Sequence, residues 1–289
     1  MIQEKLRGTG VALVTPFKDD LTVDYDALTK LLDFVLDGGV NYIVVNGTTA
    51  ESVTTTTQEK VEILRTIKKH VNGRIPLVYG IGGNNTQHVL ELLQTTDLEG
   101  ISAILSVSPY YNKPSQQGIF QHYTQIANAS PVPVILYNVP GRTGSNVTAD
   151  TTLRLALHEN IIGVKEASGN LEQCMAIAKH KPSDFMLISG DDLLTVPMAA
   201  FGAEGVISVL ANAFPEKFSK MIELALDHNF KEAAALMNDF VDINPLMYEE
   251  GNPVGVKAVL ERFGVCSAQV RLPLVEASAG LKDRIYKLL

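Results

Sequence analysis

The chain has 289 residues, 46% of them hydrophobic and 19% charged, with a net charge of −8. That is apolar enough for a large core, and an acidic balance with no run of lysine or arginine excludes nucleic-acid binding through an extended basic patch. The two cysteines, Cys174 and Cys266, form no CxxC pair and read as ordinary thiols of a reducing compartment. The first ten residues carry Glu4, Lys5 and Arg7 and no apolar run of signal-peptide length. No stretch reaches the roughly 18 apolar residues of a membrane span; an acidic chain without a signal- or transit-like start is expected in the cytoplasm rather than in a plastid stroma after processing.

Short runs rich in Val and Ile alternate with amphipathic segments along the chain. The first expected strand is 10–14. A helix over 24–36 comes next, with Leu28, Leu31, Leu32 and Val35 on one face, a cap at Thr22 or Asp24, and a stop at Gly38-Gly39. Strand 42–45 precedes helix 58–69, where Val61, Ile63, Leu64 and Ile67 repeat the pattern. The next strand–helix pairs are 76–79 with 86–96, 101–107 with 116–128, and 132–136 with 148–157. The last three are 161–164 with 170–179, 185–188 with 193–201, and 205–209 with 215–226. Strands apolar at successive positions are those of a parallel sheet covered on both faces. Eight such units predict a (β/α)8 TIM barrel over residues 1–226. A doubly wound open sheet is the alternative, but Gly80-Ile81-Gly82-Gly83 lacks the third glycine of a dinucleotide fingerprint. Helical patterns at 231–247, 253–263 and 271–287 predict a C-terminal helical extension over 227–289.

A barrel builds its active site from the C-terminal ends of its strands. Here those ends deliver Asn46 to Ser52, Ser108 to Asn112, Tyr137 to Gly144, Lys165 to Ser168 and Ser189 to Asp192. Lys165 directly follows Ile161-Ile162-Gly163-Val164, and strand alternation points it into the barrel or its rim. An amine in an apolar setting loses its proton more easily, because desolvation disfavours the ammonium. The free amine attacks a carbonyl to form a Schiff base, and the protonated imine is an electron sink, so no metal or organic cofactor is needed. The bland alternative is a lysine that snorkels to water. Tyr137, one strand away, is the candidate proton shuttle, with Thr48, Thr49 and Tyr111 as a hydroxyl relay; these could equally be a core tyrosine and turn caps. Arg142 could hold a substrate carboxylate bidentately, or form a surface ion pair. The six histidines form no HxxxH, HxH or HExxH pattern, and Asp191-Asp192 reads as a helix cap or rim pair rather than a metal site.

Taken together these segments resemble the dihydrodipicolinate synthase family. Gly47-Thr48-Thr49-Ala50-Glu51-Ser52 is similar to its GTTGES signature and Pro109 to Gln116 to its PYYNxPSQ segment. Tyr137 to Gly144 resembles its YNVPxRTG stretch and Gly163 to Ala167 its GxKEA stretch, while Leu187 to Asp192 and Gly205 to Val209 match further segments. The likeness runs in order along the chain. It implies a homotetramer that condenses pyruvate with L-aspartate 4-semialdehyde to the cyclic precursor of diaminopimelate and lysine. By motif position it implies Lys165 as the Schiff-base lysine and Tyr137 as the proton carrier, relayed through Thr48 and through Tyr111 of a neighbouring subunit. Thr49 and the Ile207 backbone would hold pyruvate, Arg142 the semialdehyde carboxylate, and Gly190 would line the substrate site. Ala50 departs from the usual glycine. Lysine-inhibited members carry an interface pocket that Ser52, Asn84 and Tyr110 match, but Thr57 and Lys60 stand at the histidine positions and His88 at the glutamate position. Two cationic side chains and a lost carboxylate predict weak or absent lysine feedback.

Two rivals share parts of this pattern. A sister aldolase for sialic acids or 2-keto-3-deoxy sugar acids would use the same Lys165, Tyr137 and Gly-Thr-Thr turn; Arg142 and the paired Tyr110-Tyr111 favour the synthase. A non-catalytic binding barrel would have no need of the intact Lys165, Tyr137, Thr48 and Tyr111 set.

Overall fold

The computed structural model describes residues 2–289. Its strands are β1 (Gly8–Ala12), β2 (Tyr42–Val45), β3 (Leu77–Gly80), β4 (Ala103–Val107), β5 (Val134–Asn138), β6 (Ile161–Glu166), β7 (Met186–Ser189) and β8 (Gly205–Ser208). All pair in parallel in chain order, and β8 returns to β1 with Gly8 opposite Gly205, which closes a TIM barrel. Closure gives every strand two partners, so no edge is left to template aggregation.

Strand alternation divides the apolar residues into two cores. Val44, Leu105, Ile135, Met186 and Ile207 fill the barrel interior. Ile43, Ile104, Leu136, Val164 and Leu187 face outward and pack under the helices. Val164 outward and Lys165 next to it fixes the lysine on the inner face. The helices match the predicted amphipathic segments. Asp24 caps Tyr25–Asp37 by accepting from the Ala27 N–H, and Thr56 with Glu59 forms a reciprocal capping box on Thr57–Val71.

Three expectations are corrected. The first strand lies two residues earlier than 10–14: the Leu13 N–H still bonds the Val44 carbonyl of β2, but the Val14 N–H is taken by Asn212 Oδ1, which ends the pairing. Two short helices, Ile2–Lys5 and Pro140–Thr143, have no counterpart among the expected elements. In the extension, the pattern at 231–247 breaks into Phe230–Asn238 and a 3-10 turn at Pro245–Met247, and the one at 271–287 reduces to Ala279–Tyr286. Pro245 and Pro273 cannot donate inside a helix. The Arg271 N–H is moreover committed to Glu51 Oε2, 2.9 Å away on the barrel. Between these pieces lies Val254–Arg262, nearly all of it buried, so the extension shares the outer core of the barrel.

One packed histidine makes the fold acid-sensitive. His122 lies in the helix Gln116–Ala129, with Nδ1 2.9 Å from Thr86 Oγ1, edge-on to Tyr123 and with Nε2 unpartnered. Burial lowers its pKa from 6.5 to about 4. The unfolded chain therefore takes up this proton first. Stability from this group is full above pH 6.5 and is lost as pH falls toward 4, by about 3 kcal/mol in total. Thermal melts from pH 7 to pH 4 are expected to fall less steeply for His122→Gln than for the parent chain.

Candidate active site

β5 and β6 run side by side at the mouth, and their register sets Tyr137 opposite Lys165. Lys165 is only 6% exposed, and its Nζ lies 4.4 Å from the centroid of the Tyr137 ring. Among the described residues, no carboxylate comes within salt-bridge distance of it. The ring face supplies weak cation stabilisation in place of a counter-ion. An amine so placed keeps its lone pair available once it sheds a proton.

Room for this side chain comes from Gly190, just after β7. A methyl group there would stand 3.0 Å from Lys165 Cε and 2.6 Å from Ala167 Cβ. Gly190 also donates its N–H to the Glu166 carbonyl at 2.8 Å, so it cannot simply back away. Gly190→Ala is expected to stay folded but to displace Lys165, lowering kcat/KM by roughly 100-fold, the cost of about 1 Å of misplacement. Steady-state kinetics beside a melting curve will check it.

The turn after β2 brings Thr48 to the surface and buries Thr49. Asn252 of the extension donates from Nδ2 to Thr49 Oγ1 at 3.0 Å. With that lone pair taken, the Thr49 hydroxyl proton is free to point at a ligand. Two residues on, Glu51 adopts φ 53° and is buried against Lys257, Nζ to Oε1 2.6 Å. Lys257 also donates to the Gln269 carbonyl at 2.7 Å and stands over the Phe17 ring. Ala50 is buried, and its carbonyl accepts from Thr15 Oγ1 at 2.7 Å, so the methyl group that replaces glycine is accommodated within the turn.

Ile207, 1% exposed on β8, belongs to the inner core, opposite Gly10 of β1. Asp192 anchors the segment just after β8: its Oδ2 accepts from the Val209 and Leu210 N–H groups at 3.2 and 2.8 Å. Asp192 is thus tied to the segment after β8, whereas Asp191 Oδ1 accepts from the Leu193 N–H at 3.1 Å just after β7. Burial raises the Asp192 carboxyl to about 6, and its Oδ1 has no partner.

Arg142 sits on the short helix Pro140–Thr143 and is exposed. Tyr111 is 88% exposed with φ 72°, on a loop whose N–H reaches the Thr143 carbonyl at 3.3 Å. Among the described residues, neither they nor Thr48 make a side-chain hydrogen bond within the chain. The structure thus brings together Lys165, Tyr137 and Gly190, and leaves Thr48, Arg142 and Tyr111 open to solvent.

Several participants do not stand out in the sequence. Asn252 and Lys257 lie about 90 residues beyond Lys165, on the extension, and only the compact run Asn252 to Lys257 hints at a site. Tyr248, on the extension, is 37% exposed as a residue while its phenol is desolvated; that and the nearby Asp192 and Asp191 raise its pKa, and Arg142 opposes them. Glu166 and Asn138 are visible in the sequence only as members of the motifs that hold Lys165 and Tyr137. Cys174 and Cys266 are free and buried, and burial raises their thiols to about 12 and about 11.

Residues 5–289 match the model of the dihydrodipicolinate synthetase family. The chain is 56% identical over 278 residues to the 4-hydroxy-tetrahydrodipicolinate synthase of Cytophaga hutchinsonii, covering 96% of this chain and 94% of that one. Among solved structures, it is similar to the chloride-inhibited dihydrodipicolinate synthase of Acinetobacter baumannii complexed with pyruvate. That match has a TM-score of 0.95, 36% identity, and coverage of 98% of this chain and 97% of that one. It is likewise similar to the lysine-bound enzyme of Cyanidioschyzon merolae, with a TM-score of 0.93, 38% identity, and coverage of 98% and 97%.

Proposed function

Because the chain belongs to the dihydrodipicolinate synthetase family, we propose that its Lys165 is the amine that carries pyruvate. The family reaction joins pyruvate to L-aspartate 4-semialdehyde. The Lys165 amine attacks the pyruvate ketone, water leaves, and a protonated imine forms. Loss of a methyl proton gives an enamine, whose carbon attacks the aldehyde. The amino group of the semialdehyde then closes the ring and releases Lys165.

One observation carries this assignment. Among the described residues two lysines are buried, and they differ: Lys257 of the extension is held by Glu51 and the Gln269 carbonyl, whereas Lys165 has no carboxylate within salt-bridge distance and faces Tyr137. Tyr137 is the proton carrier, and Thr49 and the Ile207 backbone grip the pyruvate carboxylate. Arg142, exposed at the mouth, meets the carboxylate of the incoming semialdehyde. Thr48 continues the proton path. In this reading Tyr111, which projects outward at 88% exposure, completes it from a neighbouring subunit, in a homotetramer in the cytoplasm.

Borohydride trapping with pyruvate, followed by peptide mapping, tests the reading. A reduced adduct on Lys165 is expected, and its absence in folded protein would overturn it. Offering the trapped system aspartate semialdehyde or sugar aldehydes then separates the synthase from a sialic-acid-type aldolase. Arg142→Ala is expected to raise KM for the semialdehyde while leaving the rate of pyruvate trapping unchanged.

Lysine feedback is weak or absent in this reading. Asn84 Nδ2 donates to the Tyr110 carbonyl at 3.1 Å, which brings these two residues of the motif together. Thr57, Lys60 and His88 supply no carboxylate for an ammonium, and two of them carry or can carry positive charge. Initial rates with millimolar lysine are expected to be nearly unchanged; strong inhibition would refute this reading.

A further inference from the structure

We propose that Asn138 and Glu166 are positioning residues that lock β5 and β6 in register and thereby hold Tyr137 opposite Lys165. The inference rests on Lys165 being the imine-forming amine.

The two pairs are consecutive rungs of one ladder: Tyr137 faces Lys165, and Asn138 faces Glu166. Alternation puts the first pair inside the barrel and the second outside it. Asn138 is 0% and Glu166 1% exposed. Asn138 Nδ2 donates to both Glu166 oxygens, at 3.1 and 3.0 Å. Glu166 Oε1 also accepts from the Ser168 N–H at 2.8 Å and Oε2 from Gln173 Nε2 at 2.9 Å. Asn138 Oδ1 meanwhile accepts from the Val147 N–H at 2.9 Å. Every donor on this buried carboxylate is neutral. Without a cation to offset desolvation, such a group is costly to bury. Glutamine would be easier to desolvate, but its amide NH2 would face an N–H donor from Asn138, Ser168 or Gln173. A carboxylate can accept from all of them at once.

The β5–β6 ladder is irregular just upstream of these two rungs. Val134 faces Ile161 but Ile135 faces Gly163, so one residue, Ile162, is bulged out just upstream. A bulge interrupts the regular ladder locally, and a one-residue change of register would move a side chain to the opposite face. Beyond the bulge, the side-chain bond between Asn138 and Glu166 is specific to one register, whereas the backbone bonds recur in any.

The test is the single-turnover rate of borohydride-trapped imine on Lys165, per folded molecule, with melting temperature measured in parallel. Glu166→Gln is expected to lower the trapping rate at least tenfold. The exchange Asn138→Asp with Glu166→Gln restores a donor between the two but loses the bond from Asn138 Nδ2 to Asn146 Oδ1 at 2.8 Å, and is expected to recover part of the loss. Ile67→Val, a core change in the helix Thr57–Val71, is expected to lower the melting temperature without changing the rate. If Glu166→Gln does not fold, Asn138→Ser removes the same two bonds and reads the same quantity. A parent chain that traps no pyruvate would overturn the assignment of Lys165 itself. A parent chain that traps normally, with Glu166→Gln or Asn138→Ser trapping just as fast, would overturn the register lock alone.

Discussion

Lys165→Met is expected to abolish the pyruvate adduct, lower turnover by roughly 10⁴-fold or more, and leave the protein at least as stable as its parent. The two halves of this result come from the same geometry. Methionine fills nearly the volume of lysine and offers no amine. Lys165 bears a desolvation cost at 6% exposure with only an aromatic ring to receive its charge. Replacing an amine so placed by an apolar side chain removes that cost and forfeits no ion pair. Arginine would not serve as the comparison, since it stays protonated and is too broad beside Gly190. Mass analysis after borohydride, turnover and a thermal melt on one preparation decide the matter. A Lys165→Met protein that still traps pyruvate would move the nucleophile elsewhere. One that lost several kcal/mol would mean that Lys165 is structural.

The barrel is legible in the sequence because its signal is periodic and local. Runs such as Tyr42–Val45 are apolar on both faces, and Asp24 and Gly38-Gly39 bound the helix that precedes this strand. Lys165, Tyr137 and Gly190 are legible because strand ends converge in any such barrel, which turns chain position into a place at the mouth. The features that escape depend on contacts far apart in sequence. Nothing local tells that Asn252 reaches Thr49, or that Arg271 commits its N–H to Glu51 rather than continuing a helix. The extension misleads for the same reason: its apolar spacing is helical across 231–247 and 271–287, while Pro245, Pro273 and the bonds to the barrel break it. Glu166 looks like any charged residue beside a lysine, and only pairing with Asn138 gives it a role.

Lys257→Met is expected to be the opposite of Lys165→Met, although both remove a buried lysine charge. Lys257 and Glu51 have side chains 0% and 2% exposed and meet at 2.6 Å. Burial pulls the Lys257 pKa below its ordinary value and the Glu51 charge opposes that pull, so the pair survives by mutual neutralisation. Removing one member strands the other, at a cost of about 3–5 kcal/mol. Glu51 retains the Arg271 N–H and feels the charge of the Arg271 guanidinium, which soften the loss without replacing the direct ion pair. The consequence reaches the chemistry, because Glu51 closes the turn that carries Thr48 and Thr49: its N–H bonds the Thr48 carbonyl at 3.0 Å. A turn freed at Glu51 loosens the Thr49 hydroxyl, so KM for pyruvate should rise more than kcat falls. Glu51→Gln combined with Lys257→Met removes both charges, and is expected to recover most of the stability while leaving the KM defect, since the amide alone no longer ties the turn to the extension. Chemical denaturation of the two single variants and the double variant gives the coupling energy, and pyruvate kinetics on the same set gives the second readout. If the double variant were no more stable than Lys257→Met, stranded charge would not be the cause. If pyruvate KM were unchanged throughout, the extension would hold the barrel together without shaping the site that grips its substrate.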